Sequence, residues 1–230
     1  MSHLLEIQDL TVQYRGAAAP VVKNLVLYLD EDEILSLHGP SGSGKSTVVW
    51  ALMGMLEAYH ANASGSILFQ GEYFDLTVQK AGLRRPWSKI ALIPQSSMSV
   101  LNPIQTIGRS MTEMMDAHER SVLRSEQLKR CEALLAQVNL DASILRAYPN
   151  ELSGGMMQRV SIAMAMMYQP KLLIMDEATT GLDLLTEADI LGTIRRIRRE
   201  NKMSILMISH DQLLSDAFCD RCVEIGGCHE

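Results

Sequence analysis

The residues with the clearest chemistry run from Gly39 to Thr47, "GPSGSGKST". Gly39, Gly44, Lys45 and Ser46 occupy the fixed places of G-x-x-x-x-G-K-[ST], a loop that cradles a chain of phosphates. Glycines let backbone N–H groups converge on an anion. A helix starting at the end of the loop adds the positive pole of its dipole. Pro40, Ser41, Gly42, Ser43 and Thr47 complete the candidate cradle. Lys45 supplies a point charge for the β- and γ-phosphates, and Ser46 a hydroxyl for Mg²⁺. A plain Gly/Ser turn is the alternative, and the apolar strand before the motif and the helical pattern after it argue against that.

A second group stands at Leu172–Glu177, "LLIMDE". Four apolar residues predict a buried strand with two carboxylates at its C-terminal end. In open α/β sheets that end is where ligands bind. Asp176 is a candidate to hold Mg²⁺ through water, and Glu177 to polarise an attacking water as general base. The alternative is that both carboxylates cap the following helix.

The elements that must position these groups alternate. Leu4–Leu10, Asn24–Leu29, Ile34–His38, Ile90–Pro94, Lys171–Met175 and Met203–Ile208 read as strands. Lys45–Leu56, Thr186–Glu200 and Asp211–Cys219 read as helices. This alternation predicts an α/β fold with a mainly parallel sheet, flanked by antiparallel N-terminal strands. Arg15–Pro20, "RGAAAP", reads as a loop. Thr106–Arg146 is polar, rich in Met, Glu and Arg, and helical in pattern, which predicts a helical subdomain inserted into the core.

Composition narrows the function classes. The 230 residues are 47% hydrophobic and 21% charged, enough apolar material for a sizeable core. A net charge of −6 argues against a dominant nucleic-acid surface. The run Arg195, Arg196, Arg198 and Arg199 is expected to be a solvated helix face. No secretory leader is expected, because Glu6 and Asp9 interrupt the N-terminal apolar residues. The longest apolar run, Val48–Leu56, is too short to span a bilayer, so a membrane role must act through a partner. Cys219, Cys222 and Cys228 form C-x2-C-x5-C beside His229. This is either a metal fragment or a helix end, a strand residue and a tail. Cys131 reads as a helix residue. The 15 methionines, with Met156, Met157, Met164, Met166 and Met167 close together, read as core filling.

Further motifs stand in a fixed order. "LSGGM" follows the helical insertion. Ser153 can cap a helix there, and N–H groups after Gly154 and Gly155 can face phosphate oxygens. Gln95 follows a strand, "TTGLD" (Thr179–Asp183) follows Glu177, and His210 ends the Met203–Ser209 strand. Tyr14 is a candidate to stack on a nucleobase, against the alternative of an exposed strand tyrosine. The alternative for His210 is a buried strand-end histidine. From Leu4 to about Ile225 the chain resembles the nucleotide-binding subunit of an ATP-binding cassette (ABC) transporter.

The resemblance implies a P-loop NTPase (RecA-like) core with an antiparallel β flank. The core covers about 1–95 and 153–230, and an inserted helical subdomain about 96–152. It implies ATP and Mg²⁺, with Ser46, Gln95 and Asp176 at the metal. It also implies a second cassette, homo- or heteromeric, packed head to tail so that "LSGG" of one closes on the phosphate loop of the other. By the family pattern Gln95 senses the γ-phosphate, Asp183 works across the dimer interface, and His210 contacts the γ-phosphate and orients Glu177. Permease subunits and, through them, an extracytoplasmic binding protein are implied, with a peripheral position on the cytoplasmic face of the inner membrane.

"PQSSMSVLNP" (Pro94–Pro103), "LSGGMMQRVSIAMAM" (Leu152–Met166) and "DEATTGLD" resemble the oligopeptide/dipeptide/nickel importer subfamily. Ser96 and Ser97 depart from it, standing where an acidic residue is common. The alternatives are an ABC ATPase of a non-transport complex, such as phosphonate breakdown, and a soluble ABC protein that remodels DNA repair or translation assemblies. The remodellers usually carry two cassettes or long coiled coils. A small-molecule kinase would explain the phosphate loop but not "LSGG", Gln95 or His210.

Overall fold

The computed structural model describes residues 3–77, 89–95, 101–119 and 122–226. Ser96, Ser97, Cys228 and His229 lie outside these residues. Along the chain the strands are β1 (Leu5–Tyr14), β2 (Val22–Leu29), β3 (Ile34–His38), β4 (Ala61–Phe69), β5 (Glu72–Asp75), β6 (Ile90–Ile93), β7 (Leu172–Asp176), β8 (Ser204–Ser209) and β9 (Arg221–Glu224). The helices are α1 (Lys45–Met53), α2 (Ile107–His118), α3 (Arg124–Gln137), α4 (Gly154–Ala165), α5 (Leu184–Asn201) and α6 (Gln212–Phe218). The described residues fall into two compact units, one within 1–91, 171–177 and 202–230, the other within 92–170 and 178–201.

The first unit holds the expected α/β core and antiparallel flank. The flank is ordered β2-β1-β4-β5. Leu5, Ile7, Leu10 and Val12 of β1 are all buried, although the spacing changes phase after Ile7. A bulge at Asp9, with φ 51°, makes the change and keeps the apolar residues inside. Opposite it stands Gly65, φ 100°, where a Cβ would lie 2.6 Å from the carbonyl oxygens of Gln8 and Asp9. β4 and β5 were not anticipated, and β1 runs four residues beyond the expected Leu10.

The second sheet is ordered β6-β7-β8-β3-β9. β3 runs parallel to β8 and β9, and β7 parallel to β8. Ile34, Leu35, Leu37, Leu172–Met175 and Ile205–Ile208 are buried, the continuous apolar pattern of strands covered on both faces. Register levels the strand ends: His38 pairs with Ser209, and Asp176 with Ile208. The residues that follow, Gly39, Glu177 and His210, therefore emerge from one edge of the sheet. α1 packs on β7 and stops at Gly54, φ 69°, rather than at the expected Leu56. α6 packs on β3, β8 and β9 and begins at Asp211, whose side chain accepts the Leu214 N–H.

The second unit is built on α2 to α5. The Thr106 side chain caps α2 through the Arg109 N–H. Gly108 brings α2 close to the short helix Ala142–Arg146, since a Cβ at Gly108 would lie 2.8 Å from the Leu145 carbonyl oxygen. α3 packs on α2 and α4, and α4 on α5.

Candidate functional site

In the first unit, Gly39 and Gly44 are glycine for steric reasons. A Cβ on Gly39 would sit 2.2 Å from the Ile225 carbonyl oxygen, and one on Gly44, φ 94°, would sit 2.7 Å from Val22 Cγ2. Gly44 is the N-terminal boundary of α1, so the first N–H groups of that helix open onto the loop. Lys45 is 7% exposed, and its ammonium donates to the carbonyls of Gly39 and Pro40 at 2.8 Å each. The loop thus folds around its own cation. Ser41 and Gly42 are at its exposed rim, and Ser43 packs toward Gly226.

Ser46 donates a hydrogen bond to the Asp176 carboxylate. Burial pushes the Asp176 carboxyl above its ordinary range, the Ser46 bond opposes this, Glu177 adds to it, and Lys45 opposes it. A hydroxyl and a half-buried carboxylate side by side, next to a phosphate cradle, form a donor set of the hard oxygen type that suits Mg²⁺. Glu177 adopts a left-handed conformation, φ 47°, and its N–H donates to the Ile208 carbonyl at 3.0 Å. A glutamate held there is uncommon, and such strain gathers at working sites. His210 Nδ1 lies 3.3 Å from Glu177 Oε1. The side chain of His210 is 60% exposed, so it is not a buried strand-end histidine. Tyr14 is half-buried, and its hydroxyl lies 2.9 Å from Thr47 Oγ1, which sets aside a freely exposed strand tyrosine.

In the second unit, Ser153 caps α4 as expected, its hydroxyl accepting the Met156 N–H at 3.3 Å. Gly155 lets α4 approach the start of α5, because a Cβ there would sit 2.7 Å from Thr186 Cγ2. Asp183 accepts the Thr186 N–H at 3.1 Å and the Thr186 hydroxyl at 2.6 Å. The hydroxyl bond, then the N–H bond, hold the Asp183 carboxyl below its ordinary range. Asp183 therefore caps the helix after "DEATTGLD", the role that Asp176 and Glu177 had as their alternative. Ser153, Gly154, Gly155 and Asp183 line one cavity of about 550 Å³. Gln95 is exposed, two residues beyond β6.

Three polar residues of this cavity were not foreseen: Thr186, Arg159 and Asp189. Arg159 donates to the Val138 carbonyl at 2.8 Å and pairs with Asp189 on α5, tying α4 to the end of α3 and to α5. Its place four residues after Gly155, on the same helix face, was the available signal. Cys131 is a buried thiol of α3, Cys219 follows α6, and Cys222 lies in β9. Among the described residues no three His, Cys, Asp or Glu side chains are grouped to hold a metal ion.

The family model described as ABC transporter matches residues 22–180. The chain is 39% identical to the peptidoglycan transport ATP-binding protein YejF of Agrobacterium fabrum, over 97% of this chain and 42% of that protein. It is 32% identical to the dipeptide transport ATP-binding protein DppD of Caldanaerobacter subterraneus, over 99% of this chain and 71% of that protein. The chain thus spans less than half of the first relative. Among solved structures, the ATP-binding cassette MJ0796, a dimer in a post-hydrolysis state bound to ADP and Pi, superposes with a TM-score of 0.79 at 25% identity. That match covers 96% of this chain and 94% of that one.

Proposed function

The chain belongs to the ABC transporter family, and from that premise we propose that it is an ATP-binding and ATP-hydrolysing cassette. In this reading it powers uptake of peptides, or of nickel and metal chelates, through separate permease subunits. The observation that carries the reading is a division of labour. Lys45, Ser46, Asp176, Glu177 and His210 gather in one unit, and the "LSGG" cavity is built in the other.

Ser46 and Asp176 are the residues that would hold Mg²⁺. Bound there, Mg²⁺ would neutralise charge on the β- and γ-phosphates. Lys45 leaves its two carbonyls for the phosphate oxygens, and the α1 N-terminus supports them. Glu177 takes the proton of the attacking water, and His210 holds Glu177 in line. Ser153, Gly154 and Gly155 close on the γ-phosphate of a second cassette, with Asp183 at the same interface. Closure on ATP and release after hydrolysis make a two-state switch. The helices α2 and α3 transmit this motion to the permeases.

No helix of the described residues is long and apolar enough to cross a membrane. In this reading the cassette works through separate permeases at the cytoplasmic face of the inner membrane. An extracytoplasmic binding protein would deliver cargo to them, and nucleic acid is not a partner. The relatives named for peptidoglycan and dipeptide transport support a peptide-type cargo. The deciding experiment is affinity purification from membranes, followed by ATPase assay with and without peptides. Co-purifying permeases and peptide-stimulated hydrolysis support the reading. A cassette recovered with lyase subunits instead of permeases overturns it.

A further inference from the structure

Tyr14 and Thr47 are 33 positions apart, yet their side-chain oxygens meet at 2.9 Å. Tyr14 closes β1, where it pairs with Ala61 of β4. The next N–H, of Arg15, donates to the His60 carbonyl at 2.9 Å, and the Ala17 N–H donates to the Tyr14 carbonyl at 3.1 Å. The backbone that carries this ring is therefore held on both sides. Thr47 lies in the first turn of α1, with Lys45 and Ser46, and is 4% exposed. A helical threonine hydroxyl often bonds a carbonyl one turn back in its own helix. Here it meets a phenol delivered by another sheet.

We propose that the Tyr14 hydroxyl is a positioning contact for the phosphate loop, acting through Thr47 Oγ1. Tyr14 then serves a nucleotide from both ends of its side chain. The ring offers a face to the nucleobase, and the hydroxyl fixes the helical turn whose N–H groups meet the phosphates. The inference rests on the nucleotide reading above and adds a second role to a residue whose ring alone the sequence made a candidate to stack on a nucleobase. Its physical basis is the cost of a buried hydroxyl without its partner. Once the phenol oxygen is gone, Thr47 turns toward its own helix or stays unsatisfied, and the first turn of α1 loses its lateral anchor.

Calorimetric titration of the full chain with ATP and with inorganic tripolyphosphate, both without Mg²⁺, tests this. Tyr14→Phe keeps the ring and is expected to weaken both ligands by the same factor, about 3- to 10-fold. Tyr14→Leu is expected to weaken ATP further but tripolyphosphate no more than Tyr14→Phe does. The Tyr14→Phe penalty should persist in a Thr47→Ser background, which keeps a hydroxyl, and vanish in a Thr47→Val background. Melting temperatures above the assay temperature for every variant exclude unfolding as the cause. Unchanged tripolyphosphate affinity in Tyr14→Phe, or an equal penalty in the Thr47→Val background, overturns the proposal and leaves the nucleotide reading standing. If the parent chain binds neither ligand, both fall.

Discussion

His210 Nδ1 and Glu177 Oε1 lie 3.3 Å apart at the C-terminal edge of the parallel sheet, each one residue beyond its strand. The Glu177 backbone is bonded to Ile208, on the strand that delivers His210, so one strand positions both Glu177 and His210. Glu177→Gln keeps the shape but cannot take a proton. Turnover is expected to fall by about 10²- to 10⁴-fold while ATP affinity stays within about threefold of the parent. The variant should also accumulate as an ATP-bound dimer, visible by light scattering. Hydrolysis at the parental rate would remove Glu177 from the base role.

Gly155 tests the second cavity separately. Its substitution by Ala would drive a methyl to 2.7 Å from Thr186 Cγ2, and Thr186 is held by Asp183. Gly155→Ala should leave ATP binding by dilute monomer intact and abolish ATP-dependent dimerisation and turnover. Thr186→Ser removes Cγ2 but keeps the hydroxyl for Asp183. The double variant should therefore regain at least about a third of parental turnover, by the non-additivity expected of touching residues. A double variant as inactive as Gly155→Ala would show that the clash is not the cause.

The two halves of the site differed in how far the chain exposed them to reading. Lys45 and Ser46 were legible because phosphate chemistry demands fixed types at fixed spacing along one strand–loop–helix, and Asp176 because it ends a continuous apolar run. That Gly39 must be glycine was legible too, but its reason was not, since the obstructing carbonyl belongs to Ile225, 186 residues on. β4 escaped notice because Asn62, Ser64, Gly65 and Ser66 leave its first half with little apolar signal, and its register with β1 shifts at the bulge opposite Gly65. Arg159, Thr186 and Asp189 act by packing α4 against α5, and such contacts have no local signature. His210 was identified by its order among the motifs, while its exposure emerged only from the fold.

Cys131 offers a probe of the second unit. It is fully buried in α3, and burial pushes its thiol up to about 11, from an ordinary value of 9.0. The folded state thus binds this proton more tightly than the unfolded chain does. Its contribution to stability is present in full below about pH 9 and is lost as pH rises toward 11. At pH 8 the folded thiol should be alkylated by iodoacetamide at least about 100-fold more slowly than in denaturant, since the reactive thiolate is both scarce and covered. Peptide mass spectrometry over time reads this out, and rapid labelling of Cys131 in folded protein would contradict the packing of α3.

Ser46 and Asp176 yield a prediction about the metal that separates binding from hydrolysis. The Ser46 hydroxyl donates to a carboxylate that burial holds above its ordinary range. A divalent cation at this pair would relieve the desolvated carboxylate and draw the hydroxyl oxygen to itself. In the proposed reading Lys45 and the α1 N-terminus hold phosphates without that cation. Chelation with EDTA should therefore abolish hydrolysis but leave ATP bound within about tenfold of the Mg²⁺-loaded affinity. Ser46→Ala should mimic chelation only in part, raising the Mg²⁺ concentration for half-maximal hydrolysis by about 10-fold, a loss near 1.4 kcal/mol. Asp176→Asn should do so more severely, because it removes the charge that balances the cation. The Mg²⁺ dependence of hydrolysis at saturating ATP measures both shifts, and an unshifted curve in Asp176→Asn would place the cation on other residues.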